Sequence, residues 1–158
     1  MNVSGNLVIS NPYFFYSDLQ SYSATTLAAS ASVIVPFTTN TALYNKASQS
    51  GFNNTNHTFT IPQSGFWQFN VCVHCYGASA NQNLTLQFYN NGVAIGYTLA
   101  YYPMFSTGVD MICVNAPLIN CAFNDIISIT LTNAGTTSIN YRNGGRLNYF
   151  YGQLICPS

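Results

Sequence analysis

Gly65-Phe66-Trp67-Gln68-Phe69-Asn70-Val71-Cys72-Val73-His74-Cys75 is the stretch whose reading decides the fold class. Trp67, Phe69, Val71, Val73 and Cys75 share one side of a two-residue repeat; Phe66, Gln68, Asn70, Cys72 and His74 share the other. A helix would scatter the first set around its axis, whereas a strand stacks it on one face. That face is expected in the core, and the mixed face outside it. The same period recurs downstream. Leu84, Leu86 and Phe88 alternate with Thr85, Gln87 and Tyr89 up to Asn91-Gly92. That dipeptide supplies the positive φ angles of a type I′ turn, so a hairpin returning through 93–100 is expected. Ile127, Ile129 and Leu131 point inward from the next run, and Asn133-Ala134-Gly135 turns the chain. The last strand, 147–156, puts Asn148, Phe150, Gly152, Leu154 and Cys156 on one side.

Composition agrees with this reading. Tyr, Phe, Val, Ile and Thr suit a pleated, half-buried surface, while glutamate is absent and a single lysine is present. The 158 residues fit one domain. Only 4% of them are charged, against about 25% in an ordinary soluble domain. So few charges leave little repulsion to keep a lone monomer dispersed. The surface must then be coated with neutral polar groups, or hidden in an assembly, or both.

Four stretches together carry a resemblance. Phe59, Pro62, Gly65, Trp67 and Phe69 reproduce the spacing F-x-x-P-x-x-G-x-Y-x-F, which resembles the signature of the complement subcomponent-q globular head, with Trp67 in the place of the family's Tyr. Ala42-Leu43-Tyr44-Asn45 is similar to the loop before that signature. Asn124-Asp125-Ile126-Ile127-Ser128-Ile129 resembles the G-D-x-V-x-L turn and strand, with Asn124 for Gly. Both residues tolerate the left-handed conformation. Phe150-Tyr151-Gly152-Gln153-Leu154 is similar to the closing F-x-G-x-L strand. That family shares a jelly-roll superfamily with tumour necrosis factor. The resemblance implies an all-β, antiparallel jelly-roll sandwich of about ten strands over residues 21–158, assembled as a homotrimer. It makes Phe59, Pro62, Gly65, Trp67, Phe69, Asp125, Phe150 and Gly152 the fold-signature core. No collagen Gly-X-Y stalk precedes the head in this sequence.

Residues 1–20 fall outside any clean alternation. Tyr13-Phe14-Phe15-Tyr16 is an aromatic cluster that reads either as a terminal strand packed on its own domain or as an arm docking on a neighbour.

Chemistry is sparsely provided. Three aspartates, two histidines, one lysine and two arginines offer no carboxylate pair, nucleophile elbow or phosphate loop, and neither an enzyme nor a cofactor is expected. Arg142 and Arg146 are expected to pair with Asp110 or Asp125. Cys72-Val73-His74-Cys75 is the one metal-like cluster. In a strand Cys75 points away from Cys72 and His74, so three ligands cannot converge. The expectation is a core thiol and a hydrogen-bonded histidine, with Cys72 and His74 meeting across a three-fold axis as the alternative metal site. The odd set Cys72, Cys75, Cys113, Cys121 and Cys156 reads as buried free thiols.

Three basic residues cannot neutralise a useful number of phosphates, so no nucleic acid partner is expected. No membrane segment or lipidation signal is read, and Met1-Asn2-Val3-Ser4 does not begin like a secretory signal. The expected function is structural: a trimeric jelly-roll block of a virus particle, as minor capsid protein, capsomer cap or fibre head. Its expected partners are its own copies, other particle proteins and a host glycan or receptor, and its place is the virion assembled in host cytoplasm. The alternative is an extracellular recognition module binding a carbohydrate or receptor through Tyr101, Tyr102 and neighbouring loops. Glycans at the sequons of Asn2, Asn53, Asn56 and Asn83, and paired cysteines, are expected of that alternative.

Overall fold

The computed structural model describes residues 13–19, 24–38, 51–76, 82–104, 109–142 and 148–158. Its strands in chain order are β1 (Phe14–Asp18), β2 (Ala24–Leu27), β3 (Ala31–Ile34), β4 (Phe52–Asn53), β5 (Thr58–Thr60), β6 (Gly65–Tyr76) and β7 (Gln82–Asn90). They continue as β8 (Val93–Met104), β9 (Val109–Asn115), β10 (Ile119–Cys121), β11 (Ile126–Asn133), β12 (Ile139–Arg142) and β13 (Tyr149–Pro157). All pairs are antiparallel. The short segments β4, β5 and β10 pair as strands of their own, which raises the number above the ten or so expected.

The strands form a seven-stranded and a six-stranded sheet, packed face to face. β6 organises the first. One of its edges carries β13 and then β12, and the other carries β10 and then β9. β11 organises the second, with β7 along one edge and β5 and β3 along the other. The inward positions read from the alternation of β6, β7 and β11 all lie in the shared core. At its centre Phe15, Phe59, Phe69, Phe88 and Phe150 are fully buried, and Phe15 stacks on Phe59 at 3.8 Å between ring centroids. Burying each such ring contributes roughly 1.5–3 kcal/mol.

Trp67 fits the signature's aromatic position because its one polar atom is satisfied: Nε1 donates to Gln63 O at 3.0 Å. The hairpin also forms as read, with φ of 51° at Asn91 and 79° at Gly92 joining β7 to β8. Asn124 has φ 70°, the left-handed conformation that lets it stand for glycine.

Of the two readings of the aromatic cluster, the structure shows the terminal strand packed on its own domain. Phe14–Asp18 pairs with β13 as a strand of the seven-stranded sheet, and its burial alternates. Phe15 and Ser17 point in; Phe14, Tyr16 and Asp18 point out. Serine at an inward position hid the pattern. It is accommodated because its hydroxyl donates to Phe150 O at 3.1 Å. Residues 1–12 and 20–23, and the loop stretch Ala42-Leu43-Tyr44-Asn45, lie outside the described residues.

Candidate functional site

The outward face of the seven-stranded sheet is the feature that an ordinary domain surface does not explain. Strand registers place its side chains in rows. Phe14, Gln153 and Gln68 form one; Tyr16, Tyr151, Asn70 and Asn115 the next; Asp18, Tyr149, Cys72 and Cys113 a third; His74 and Met111 a fourth. Phe66 (42% exposed) borders the first row and Met111 (43%) ends the last. The rings of Tyr16 and Tyr149 stack diagonally at 6.3 Å. Tyr151 donates its hydroxyl to Gln153 Oε1, and Gln153 Nε2 donates to Gln68 Oε1 at 3.3 Å. Burial pushes the Tyr151 phenol above its ordinary pKa, so it stays neutral. Asp18 is the one formal charge in these rows. The result is a field of aromatic rings and amides, several of them ordered by contacts within the subunit.

The opposite face of the sandwich differs. On the six-stranded sheet Thr85 and Gln87 lie beside Thr132 and Thr130, with Ser32 across from Thr132. The hydroxyls of Ser32 and Thr132 meet at 2.8 Å. Small hydroxyl side chains hydrate readily, whereas partly exposed aromatic rings gain from being covered.

The cysteines overturn one expectation. Cys72 and Cys113 are directly opposed in the β6–β9 pair, with Cα atoms 4.1 Å apart, and form a disulfide. Cys75, Cys121 and Cys156 are thiols outside any disulfide. With its sulfur in that bond Cys72 is not available as a metal ligand beside His74. Among the described residues no three His, Cys, Asp or Glu side chains gather into a metal-like group. His74 is 6% exposed, and its backbone N–H donates to Asn148 Oδ1 at 2.6 Å. Asn148, itself fully buried, thereby serves the stretch of β6 between its β13 and β12 partners.

Asp125 is a structural clamp. Its carboxylate accepts from Asn90 Nδ2 at 2.9 Å, Asn91 Nδ2 at 2.8 Å and the Ala122 N–H at 2.9 Å, tying the β10–β11 turn to the β7–β8 hairpin. Burial pushes this carboxyl up, but the bonds from Asn90, Ala122 and Asn91 together outweigh it and hold it below the ordinary value. Among the described residues its partners are amides; the expected pairing of Arg142 and Arg146 with Asp110 or Asp125 falls on side chains outside the described residues.

Of the fold-signature residues, Phe59, Trp67, Phe69 and Phe150 are fully buried. Gly65 and Gly152 are required by close approach. A Cβ on Gly65 would lie 2.8 Å from Leu154 Cδ1 and nearer still to the Cys156 carbonyl, at a φ of +151°. Pro62 stands in the turn that leads into β6. Tyr101 and Tyr102, read as loop residues, belong to β8, where they pair with Thr85 and Leu84. Sequence reasoning missed Tyr149, Gln68 and Gln153 as members of a surface, since their adjacency depends on which strands are neighbours.

This architecture is the tumour-necrosis-factor-like jelly roll. The solved structure of Eiger TNF from S. frugiperda superimposes with a TM-score of 0.67, covering 93% of this chain and 94% of that one at 8% sequence identity. No family model and no curated protein matches the sequence.

Proposed function

We propose that this chain is a non-enzymatic structural module that trimerises through the outward face of its seven-stranded sheet, and that the trimer is a building block of a virus particle. The contrast between the two outward faces carries the reading. One carries mainly threonine, serine and glutamine, with Ile34 and Ile126 as separate exposed apolar residues; the other presents Phe14, Tyr16, Tyr149, Tyr151, Phe66 and Met111 with scarcely a charge among them. A closed three-fold ring buries such a face completely and stops growth. Covering it recovers about 25 cal/mol per Å² of apolar surface. A neutral exterior then suits dense packing beside other particle proteins, as minor capsid protein, capsomer cap or fibre head. Native mass spectrometry and sedimentation equilibrium test the trimer. A stable monomer at micromolar concentration defeats it, and absence of the protein from purified particles defeats the virion assignment.

The Cys72–Cys113 disulfide favours a second reading, an extracellular recognition module, because such bonds persist in oxidising compartments. Asn53 and Asn56 lie in or beside the exposed turn between β4 and β5, where glycans on their sequons would be tolerated. Glycans on protein from its native source, with a host carbohydrate or receptor as ligand, distinguish this reading from the first.

A further inference from the structure

The disulfide lies on the face proposed above as the trimer contact, and its two ends are unequally placed. Cys72 is fully buried, whereas Cys113 is exposed. A thiolate arriving from water therefore meets Cys113 Sγ, and Cys72 Sγ is the leaving group. We infer that Cys113 is a thiol-exchange site, open in the lone subunit and closed by assembly, so that trimer formation locks the redox state of the Cys72–Cys113 pair. This rests on the trimer reading and adds a regulatory consequence to it.

The reductant is a small dithiol. One of its thiolates attacks Cys113 Sγ; the S–S bond breaks and its electron pair goes to Cys72 Sγ, which takes up a proton. The dithiol's second thiolate then displaces Cys113 Sγ from the mixed disulfide. The dithiol leaves as a cyclic disulfide, two electrons having passed to the protein as two thiols. The sheet survives the opening, because β6 and β9 are paired from Asn70–Asn115 through Tyr76–Val109, on both sides of the bond.

The other cysteines do not compete. Cys75 and Cys121 are buried, and burial followed by the charge of Asp125 pushes the Cys121 thiol up to about 12. Cys156 is exposed but pairs with Phe66. That places it six residues along β6 from Cys72, or roughly 20 Å, too far to resolve the pair within one subunit.

The full chain, with Cys156 first alkylated under native conditions, is exposed to dithiothreitol across a dilution series that spans trimer dissociation. A maleimide quench and mass spectrometry then count opened Cys72 and Cys113, while native mass reports the assembly state of each sample. Exchange in the trimer is expected to be at least about tenfold slower than in the monomer, access being the controlling factor. The Cys72→Ser/Cys113→Ser chain should yield no reducible pair; label appearing in it overturns the site assignment. Equal rates in trimer and monomer overturn the inference while leaving the trimer standing. A monomer at every concentration removes the trimer reading itself, and the inference with it.

Discussion

Replacing Gly152 by alanine tests the packing on which both sheet and surface depend. Gly152 lies directly across from Phe15 in the β1–β13 pair, and the absence of a side chain there is what admits the Phe15 ring. An alanine Cβ would sit 2.7 and 2.8 Å from Cδ1 and Cε1 of Phe69, and closer still to Phe15 Cε1. Carbon atoms in comfortable contact are about 3.5–4.0 Å apart, so the rings must retreat by roughly 1 Å. They have nowhere free to go. Phe15 already touches Phe59, Phe69 and Phe150, with centroids 3.8, 6.3 and 4.7 Å away. Overpacking of this kind costs about 1–3 kcal/mol, and the upper end is expected because two rings are struck at once. Urea unfolding followed through Trp67, the one tryptophan, reads the change; protomer concentration is held constant, since assembly adds to apparent stability. Phe15→Leu in the same chain removes the struck ring atoms. The double variant should then be less destabilised than the sum of the two single ones by about 1 kcal/mol. A Gly152→Ala cost below about 0.5 kcal/mol, or strict additivity with Phe15→Leu, refutes the reasoning.

Tyr151→Arg should leave the monomer folded and abolish the trimer, because assembly would bury unpaired guanidinium groups around the axis; native mass shifting to a single subunit confirms it, and an intact trimer moves the interface elsewhere. The Asp125 carboxyl is depressed in the folded state, so its contribution is fully present above its unfolded value of 3.8 and is lost as pH falls through the lower folded one. Melting temperature should accordingly be insensitive to this group from neutrality down to about pH 4 and drop below that, with a shallower acid limb in Asp125→Asn; identical acid limbs count against the clamp. Asn133→Ala should cost about 2–3 kcal/mol, since the buried amide donates to Ala28 O and Thr137 O and accepts from the Gly135 N–H. Chemical denaturation showing less than about 0.5 kcal/mol would mean that water replaces it.

Strand alternation exposed the core of β6, β7 and β11 because side-chain direction in a strand depends only on the position of a residue along its own segment. Turn chemistry was equally local. Asn91-Gly92 and Asn124 could be read because positive φ is a property of the residue itself, and all three adopt it. For β1 the sequence leaves strand and arm both open, for the converse reason. Ser17 breaks the apolar pattern, and its inward place is tolerable only because the Phe150 carbonyl, 133 residues away, receives its hydroxyl.

The candidate surface was legible in its ingredients and not in its arrangement. An aromatic-rich chain with six charged residues announced a need for cover. That Tyr16, Tyr151, Asn70 and Asn115 share a row, or that Cys72 meets Cys113 from 41 positions away, follows from the order β1-β13-β6 and from β9 lying along the far edge of β6. Sequence determined what each strand shows to its two sides, through short-range stereochemistry. Tertiary structure alone decided which strands became neighbours, and so which sides joined into one surface, because pairing and register are settled by contacts between segments far apart in the chain.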